Sequence, residues 1–415
     1  MSHHTSNFKR TKHACFFSYL AMSSVFSLPP ILFVTFREMY GISYTLLGTL
    51  VLVNFCTQLF IDLIFTFFTR YFNIKKTIRI MPLLTSAGLF IYAFVPSLLP
   101  QYAYAGLLVG TVIFSVAAGL SEVLLSPLAA SLPSDNPDRD MSLLHSLYGY
   151  GVVSVILIST AFLQLFGRDN WMYLTLFWAF LPILSSVWFF LSPIPDINIS
   201  QDTHSKMSGH MKKGLALCAI CIFLGSASEN TMTNWISGYM ENALKIPKAT
   251  GDILGMACFA TLLALGRTLY AKYGKNISRI LLLGMIGAAA CYLIAGLSAN
   301  FVVSILACVL TGLCTSMLWP GTLILMEEKF PSPGVAAYAL MAAGGDFGGS
   351  VAPQMLGIVV DRVSESSWVQ QLSTITSTAE QIGLKTGMLT AALFPLLGVV
   401  LLIYIRRYFA KHEAL

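Results

Sequence analysis

The chain consists of long apolar stretches separated by short polar breaks, and each stretch is continuously apolar rather than alternating. About 20 apolar residues suffice for a helix to span a bilayer, whereas the strands of a membrane barrel would alternate. The pattern predicts twelve membrane-spanning helices, at about 14–36, 43–69, 78–98, 102–132, 142–166, 170–192, 213–240, 251–272, 279–298, 301–326, 334–360 and 384–405. We therefore expect an all-α membrane protein.

One polar connection, residues 193–212, divides these helices into two groups of six. We expect an N-terminal six-helix bundle over 1–192, a cytoplasmic linker over 193–212 and a C-terminal six-helix bundle over 213–415. A second long connection, 361–383, is rich in Ser, Thr and Gln and is interpreted as an external connector.

A repeated segment relates the two groups. Gly119-Leu-Ser-Glu-Val-Leu-Leu-Ser-Pro127 in the fourth span is matched by Gly312-Leu-Cys-Thr-Ser-Met-Leu-Trp-Pro320 in the tenth. Both begin with Gly-Leu, and in both a Pro follows the Gly by eight positions. The fourth span of each group carries the segment, which indicates two pseudo-symmetric halves. The copies differ chemically, because Glu122 corresponds to Thr315.

Composition narrows the function classes. Of the 415 residues 56% are hydrophobic and 11% are charged, against about 25% charged in soluble domains, and the mean hydropathy is +0.73. The net charge of +6 is dispersed over short loops, which disfavours a nucleic-acid partner. We find no nucleotide-binding glycine loop and no cluster typical of a metal site, so we expect neither an enzyme nor a cofactor. The expected partners are the lipid bilayer, protons and a small solute, with the protein acting as a monomer.

The distribution of basic residues predicts the orientation. With the N-terminus in the cytoplasm, 18 of the 25 Lys and Arg residues lie in cytoplasmic segments and six lie outside, while Arg267 lies within a helix. Basic residues concentrate on the cytoplasmic side of membrane proteins. The expected arrangement is a multi-pass protein of the cell membrane with both termini in the cytoplasm.

Four further segments suggest a family. Gly266-Arg267-Thr-Leu-Tyr-Ala-Lys-Tyr-Gly274-Lys275 resembles the Gly/basic signature between paired helices of major facilitator transporters. Thr69-Arg70-Tyr-Phe-Asn-Ile-Lys-Lys76 is a weaker version after the second span. The segments 142–151 and 225–235 are similar to those of the fucose permease-like bacterial branch. This resemblance implies two like-oriented six-helix halves that operate by alternating access.

The resemblance also implies roles for particular residues. In this fold helices 1, 4, 7 and 10 line a central cavity, which Glu122, Glu229, Trp319 and Asn230 or Asn234 would then face. Glu122 matches the proton-coupling acid on the fourth helix of the fucose permease-like branch. The usual acid on the first helix is missing here, so a second coupling acid would have to be Glu229 or Asp62.

Other ionisable and polar residues in the spans are weaker candidates. His145 and Tyr148 share a helix face and could contact solute or relay protons, although a structural hydrogen bond is an equal alternative. Arg267, Asp346 and Arg70 are interpreted as gating residues, with Arg267 pairing with an acid. Asp346 lies in a Gly-rich stretch that permits close packing and bending. Glu122 and Glu229 could also contact solute directly.

The predicted function is proton-coupled uptake of a sugar or similar neutral polar solute by a symporter. A carboxylic acid inside a span is expensive unless it is functional, and acids, amides and Trp together suit a polyhydroxylated molecule. Proton-coupled efflux of a cationic or amphipathic compound is the main alternative. A transporter-like membrane sensor is a third alternative, from another functional class.

Overall fold

The computed structural model describes residues 2–68, 71–134, 137–195, 209–330, 335–373 and 378–412. Within these ranges the chain is almost entirely helical and contains no strand. Twelve long helices follow one another: α1 Ser2–Tyr40, α2 Tyr44–Phe68, α3 Ile74–Leu98, α4 Ala103–Ala130, α5 Pro137–Phe166, α6 Trp171–Phe190, α7 Gly209–Gly238, α8 Lys248–Tyr273, α9 Ile277–Leu297, α10 Phe301–Lys329, α11 Val335–Glu365 and α12 Ala379–Ala410.

Eleven of these helices are long and apolar enough to cross a membrane. The exception, α11, has 31 residues but is rich in Gly and contains Asp346 and Asp361. A 31-residue helix is about 46 Å long, which exceeds the roughly 30 Å hydrocarbon core. The all-α membrane fold with two six-helix bundles is therefore confirmed, and among the described parts of the twelve long helices α11 alone lacks a stretch apolar enough to be counted as a span.

Local sequence determines several helix ends. Asn73 and Asn276 accept hydrogen bonds from the backbone amides of Lys76 and Arg279, at 3.1 and 3.0 Å, and so cap α3 and α9. Gly41 and Gly167 have positive φ values of 64° and 84° in the connections after α1 and α5, where a side chain would be strained.

Three helices depart from the expected regularity. Helix α7 continues as a π-helical turn over Tyr239–Ala243, and α8 contains another over Asp252–Ala257. Helix α10 consists of two segments, Phe301–Thr315 and Leu318–Lys329, separated by a break that the apolar pattern did not predict. Single π-helical turns and breaks of this kind commonly occur at functional sites.

The chain forms two compact units. Unit 1 comprises residues 1–41 and 56–200, and unit 2 comprises residues 42–55 and 201–415. The first part of α2 thus packs with α7–α12, although it belongs to the first six helices in sequence. Residues 196–208 of the expected linker lie outside the described residues, and α7 already begins at Gly209. The boundaries 1–192, 193–212 and 213–415 stay a prediction.

Unit 1 is held together by close helix contacts. Gly88 of α3 and Gly110 of α4 lie opposite each other, and a Cβ added to Gly110 would come 2.7 Å from the Gly88 carbonyl oxygen. Glycines at such a crossing allow the two backbones to pack directly. The Ser86 hydroxyl joins α3 to α6 by donating to the Ala179 carbonyl at 2.7 Å.

In unit 2 a close contact of the same kind joins α7 and α11. A Cβ added to Gly344 would come 2.8 Å from the Ala219 carbonyl oxygen, and Gly348 lies directly against the Phe223 carbonyl. Helix α11 is uninterrupted through this stretch. The glycines around Asp346 therefore permit close packing, and the helix does not break there.

Candidate functional site

The repeated segment has the same packing role in both halves. Gly119 of α4 lies against α2, where an added Cβ would be 3.2 Å from the Gln58 Cα. Gly312 of α10 lies directly against the Phe259 carbonyl of α8. In the arrangement of two repeated halves, helix 2 corresponds to helix 8 and helix 4 corresponds to helix 10. The glycines of the repeat thus make equivalent contacts, which supports the expected pseudo-symmetry.

The repeat diverges after its glycines. Helix α4 is continuous through Pro127, whereas α10 breaks at Ser316–Met317. Thr315, the counterpart of Glu122, is fully buried, and its hydroxyl donates to the Thr311 carbonyl at 2.9 Å. The Thr side chain therefore satisfies its own helix, so the two halves carry different chemistry at this position.

The Glu122 side chain is exposed, although many protein atoms lie around it at longer range. The sequence had suggested a buried carboxylate. One turn further along α4, Ser126 exchanges a hydrogen bond of 3.0 Å with the Tyr19 hydroxyl of α1, and the Glu122 carboxylate interacts electrostatically with that phenol. Glu122 has no hydrogen-bond or ion-pair partner among the described residues. Water can therefore reach this carboxyl group, and no described basic side chain pairs with it.

Glu229 and Arg267 form an ion pair between α7 and α8. The Arg267 Nη2 lies 3.2 Å from the Glu229 Oε1, and the Arg267 Nε donates to the Ser316 carbonyl at 3.0 Å. Ser316 lies in the break of α10, where a carbonyl is released from regular helical bonding. Arg267 therefore joins three helices through one side chain.

The ion pair is asymmetric in its exposure. The Arg267 side chain is 42% exposed, whereas the Glu229 side chain is 17% exposed. The Glu229 Oε2 is buried and has no hydrogen-bond partner among the described residues. That oxygen has lone pairs to accept a hydrogen bond, but a solute could reach it only after the surrounding side chains move.

The amides of α7 bond within their own helix. The Asn230 Nδ2 donates to the Ser226 carbonyl and hydroxyl, both at 3.1 Å, and the Asn234 Nδ2 donates to the Asn230 carbonyl at 2.8 Å. Asn234 is also buried. Both Asn230 donors and one Asn234 donor are therefore used within α7, so the two side-chain carbonyl oxygens are the better candidates to accept a solute hydroxyl.

The remaining candidates are scattered. Trp319 is half-buried, with its indole nitrogen directly against Gly345 of α11, and Asp346 is half-buried next to that glycine. Asp62 is half-buried on α2 in unit 1. The Tyr148 ring lies 5.9 Å from the Phe26 ring. The side chain of His145 and the whole of Arg70 lie outside the described residues.

A network at the start of α2 was missed by the sequence analysis. The Asp361 carboxylate of α11 accepts hydrogen bonds from the backbone amides of Tyr44 and Thr45, at 3.1 and 2.6 Å. Ser43 caps the next amide, that of Leu46, at 3.2 Å. The first amides of a helix lack partners within it, and a negative charge there is favourable. Asp361 therefore fixes the start of α2.

The Tyr44 side chain extends the same network. Its hydroxyl donates to Glu380 of α12 at 2.6 Å and accepts from Asn242 of α7 at 3.0 Å. The Tyr44 ring packs on Trp235, whose indole donates to the Pro353 carbonyl at 3.0 Å. Residues 42–55 cannot leave unit 2 without breaking these bonds.

We expect Asp361→Asn to increase hydrogen exchange at the Tyr44 and Thr45 amides by about two- to thirty-fold. A lost helix cap is worth roughly 0.5–2 kcal/mol, and an Asn side chain would direct its NH₂ group at one of the two amides. Hydrogen–deuterium exchange with mass spectrometry measures the effect. Glu365→Gln, an exposed change one turn along α11, should leave these amides unaffected. Equal exchange in both variants would show that Asp361 does not stabilise the start of α2.

A buried ion pair at the α7–α8 connection was also missed. The Lys248 Nζ lies 2.6 Å from the Asp252 Oδ1, and Asp252 is 1% exposed. The Ser237 hydroxyl donates to the same oxygen at 2.5 Å. The sequence analysis gave neither residue a role, although Lys248 and Asp252 are four positions apart and so share a helix face. This cluster fixes the connection between α7 and α8.

Comparison with known proteins identifies the class. The profile of the Major Facilitator Superfamily matches residues 14–353. Together with the membrane helices described above, this match shows that the chain belongs to the major facilitator superfamily, a superfamily of membrane transporters. No curated protein matches the chain significantly in sequence.

Solved structures agree on the fold. A bacterial homologue of the human lysosomal transporter Spinster, inward-facing and occupied, has a TM-score of 0.76 at 13% identity, with 98% of each chain covered. A D-xylose–proton symporter has a TM-score of 0.71 at 14% identity over 94% of this chain and 97% of its own. A nucleoside transporter has a TM-score of 0.66 at 15% identity over 96% and 98%. These identities are too low to transfer a substrate.

Proposed function

We propose that this transporter couples proton movement to the uptake of a sugar or similar neutral polar solute. In this proposal it is a symporter of a bacterial inner membrane, with both termini in the cytoplasm, and it works by alternating access between its two halves. Glu122 carries the proton, while Glu229 and Arg267 contribute to solute binding and to the conformational change.

The Glu229–Arg267 ion pair is the observation that carries this proposal. Arg267 is the one Arg or Lys that the sequence placed inside a span, and Glu229 already neutralises it at 3.2 Å. A fully anionic solute would meet a guanidinium whose charge Glu229 already offsets, so it would gain less there than beside an unpaired cation. A neutral solute can instead accept a hydrogen bond from the exposed guanidinium without separating the pair.

Glu122 supports the coupling step. A proton carrier must be accessible to protons and must be able to lose its charge without leaving a fixed cation unpaired. Glu122 meets both requirements, because it is exposed and has no basic partner among the described residues. The structurally similar D-xylose–proton symporter shows that this fold can serve such a reaction.

Efflux of a cationic compound is the second candidate. The exposure of Glu122 favours this function too, because an accessible carboxylate without a basic partner among the described residues can attract a cation. In that case Glu122 would bind the cation and the proton alternately, and the transported compound would leave in exchange for protons. The two candidates differ in the ligand that they predict.

A thermal-stability screen of the purified protein separates them. A ligand at 100 times its dissociation constant stabilises the folded state by about 2.7 kcal/mol. We expect a sugar or polyol to raise the unfolding temperature and an amphipathic cation to have no effect. Stabilisation by cations alone would reject the uptake of a neutral solute and support efflux.

A further inference from the structure

A cavity of about 350 Å³ lies at one end of unit 2, and neither Glu229 nor Arg267 lines it. Three helix ends surround it: the start of α9, the end of α10 and the end of α12. Each of these helices is long and apolar enough to span a membrane. The cavity therefore lies where a bilayer presents its headgroups to the protein.

The charge in this cavity is mainly positive. Lys275, Lys329 and Arg406 come from three different segments and line it together with one acid, Glu328. Lys275 and Arg406 are exposed, and neither has an ion-pair or hydrogen-bond partner within the described part of the chain. Two unneutralised cations at one cavity attract an anion.

The remaining wall is apolar. Leu325, Ile405 and Phe409 also line the cavity, and the Lys329 Nζ lies 5.7 Å from the centre of the Phe409 ring. A small inorganic anion gains nothing from such a wall. An amphiphile with a negative headgroup and an acyl chain can use both parts.

We propose that this cavity binds the phosphate-bearing headgroup of an anionic phospholipid. Lys275, Lys329 and Arg406 would hold the phosphate, and the apolar wall would contact the glycerol and the first part of the acyl chains. Basic pockets between membrane helices bind anionic headgroups in this way. Because the three cations come from different helix ends, the bound lipid fixes the ends of α9, α10 and α12 relative to one another.

The test is a lipid titration of the purified full-length protein in detergent, with the unfolding temperature as readout. The probes are phosphatidylglycerol, zwitterionic phosphatidylcholine and inorganic phosphate. Two double variants each remove two positive charges. The cavity variant combines Lys275→Gln with Arg406→Gln, and the outer variant combines Lys272→Gln with Arg407→Gln. All four residues are exposed, so both variants should fold, and their unfolding temperatures without lipid check this.

We expect phosphatidylglycerol to stabilise the unmodified protein more than phosphatidylcholine does. Each basic residue contributes about five-fold to the binding of an anionic lipid, so the cavity variant should bind phosphatidylglycerol about 25-fold more weakly. The outer variant should bind almost normally. An equal loss in both variants, or equal stabilisation by phosphatidylcholine, would overturn the proposal. Stabilisation by inorganic phosphate alone would also overturn the proposal, because the cavity would then be a site for free anions.

Discussion

Glu122→Gln should reduce proton-driven accumulation of the solute to a ratio of about one. A proton moving through 100 mV releases about 2.3 kcal/mol, enough for roughly fifty-fold accumulation. Glutamine keeps the size of the side chain but cannot bind and release a proton. Exchange of labelled for unlabelled solute needs no net proton transfer and should continue. Uptake and exchange in vesicles containing the purified protein measure the two modes.

Two further variants control this experiment. Ser126→Ala removes the hydrogen bond to Tyr19 next to Glu122 and should retain coupled uptake. Glu229→Gln should weaken solute binding and therefore reduce accumulation and exchange together. If the Glu122→Gln protein still accumulates solute in response to a pH gradient, the proton carrier must be another acid, with Glu229 and Asp62 the remaining candidates.

Arg267→Lys should lower the transport rate by about ten- to one hundred-fold while the protein still folds. A hydrogen bond to a charged group is worth about 1.5–3 kcal/mol, and a lysine cannot reproduce the fork that reaches both Glu229 and the Ser316 carbonyl. The lost contact lies at the break in α10, which we expect to move during transport. Initial uptake rates in vesicles measure the effect.

A double-mutant cycle separates the ion pair from the backbone contact. Arg267→Gln and Glu229→Gln each leave one charge unpaired, whereas the double variant leaves none. The unfolding temperature of the double variant should therefore lie above the value expected from adding the two single effects. Arg267 is 42% exposed, so solvent reduces this coupling to the lower part of the roughly 0.5–3 kcal/mol range. Simple additivity would mean that the pair has no energetic role.

The sequence predicted the architecture well, because a continuous apolar stretch of sufficient length is enough to predict a membrane helix. It also found the repeat, whose Gly119 and Gly312 make equivalent contacts. The break in α10 was missed because the segment is apolar on both sides of Ser316. A helix interruption that a neighbouring Arg stabilises leaves no local pattern.

The candidate site was predicted less completely. The sequence expected Arg267 to pair with an acid but could not choose Glu229, since that pairing depends on how α7 and α8 lie together. Asp361 received no role, because its importance comes from the start of α2, more than 300 positions away in the chain. Glu122 was expected to be buried on the basis of its apolar neighbours in sequence, and its exposure depends on packing in three dimensions.

Solute-dependent proton entry tests the central claim most directly. Vesicles containing the purified protein and an internal pH-sensitive dye would receive, from outside, the solute that stabilises the protein. Our account predicts that this addition acidifies the interior of vesicles with the unmodified protein and leaves the interior pH unchanged with Glu122→Gln. Solute entry without any change in interior pH in the unmodified protein would contradict proton coupling.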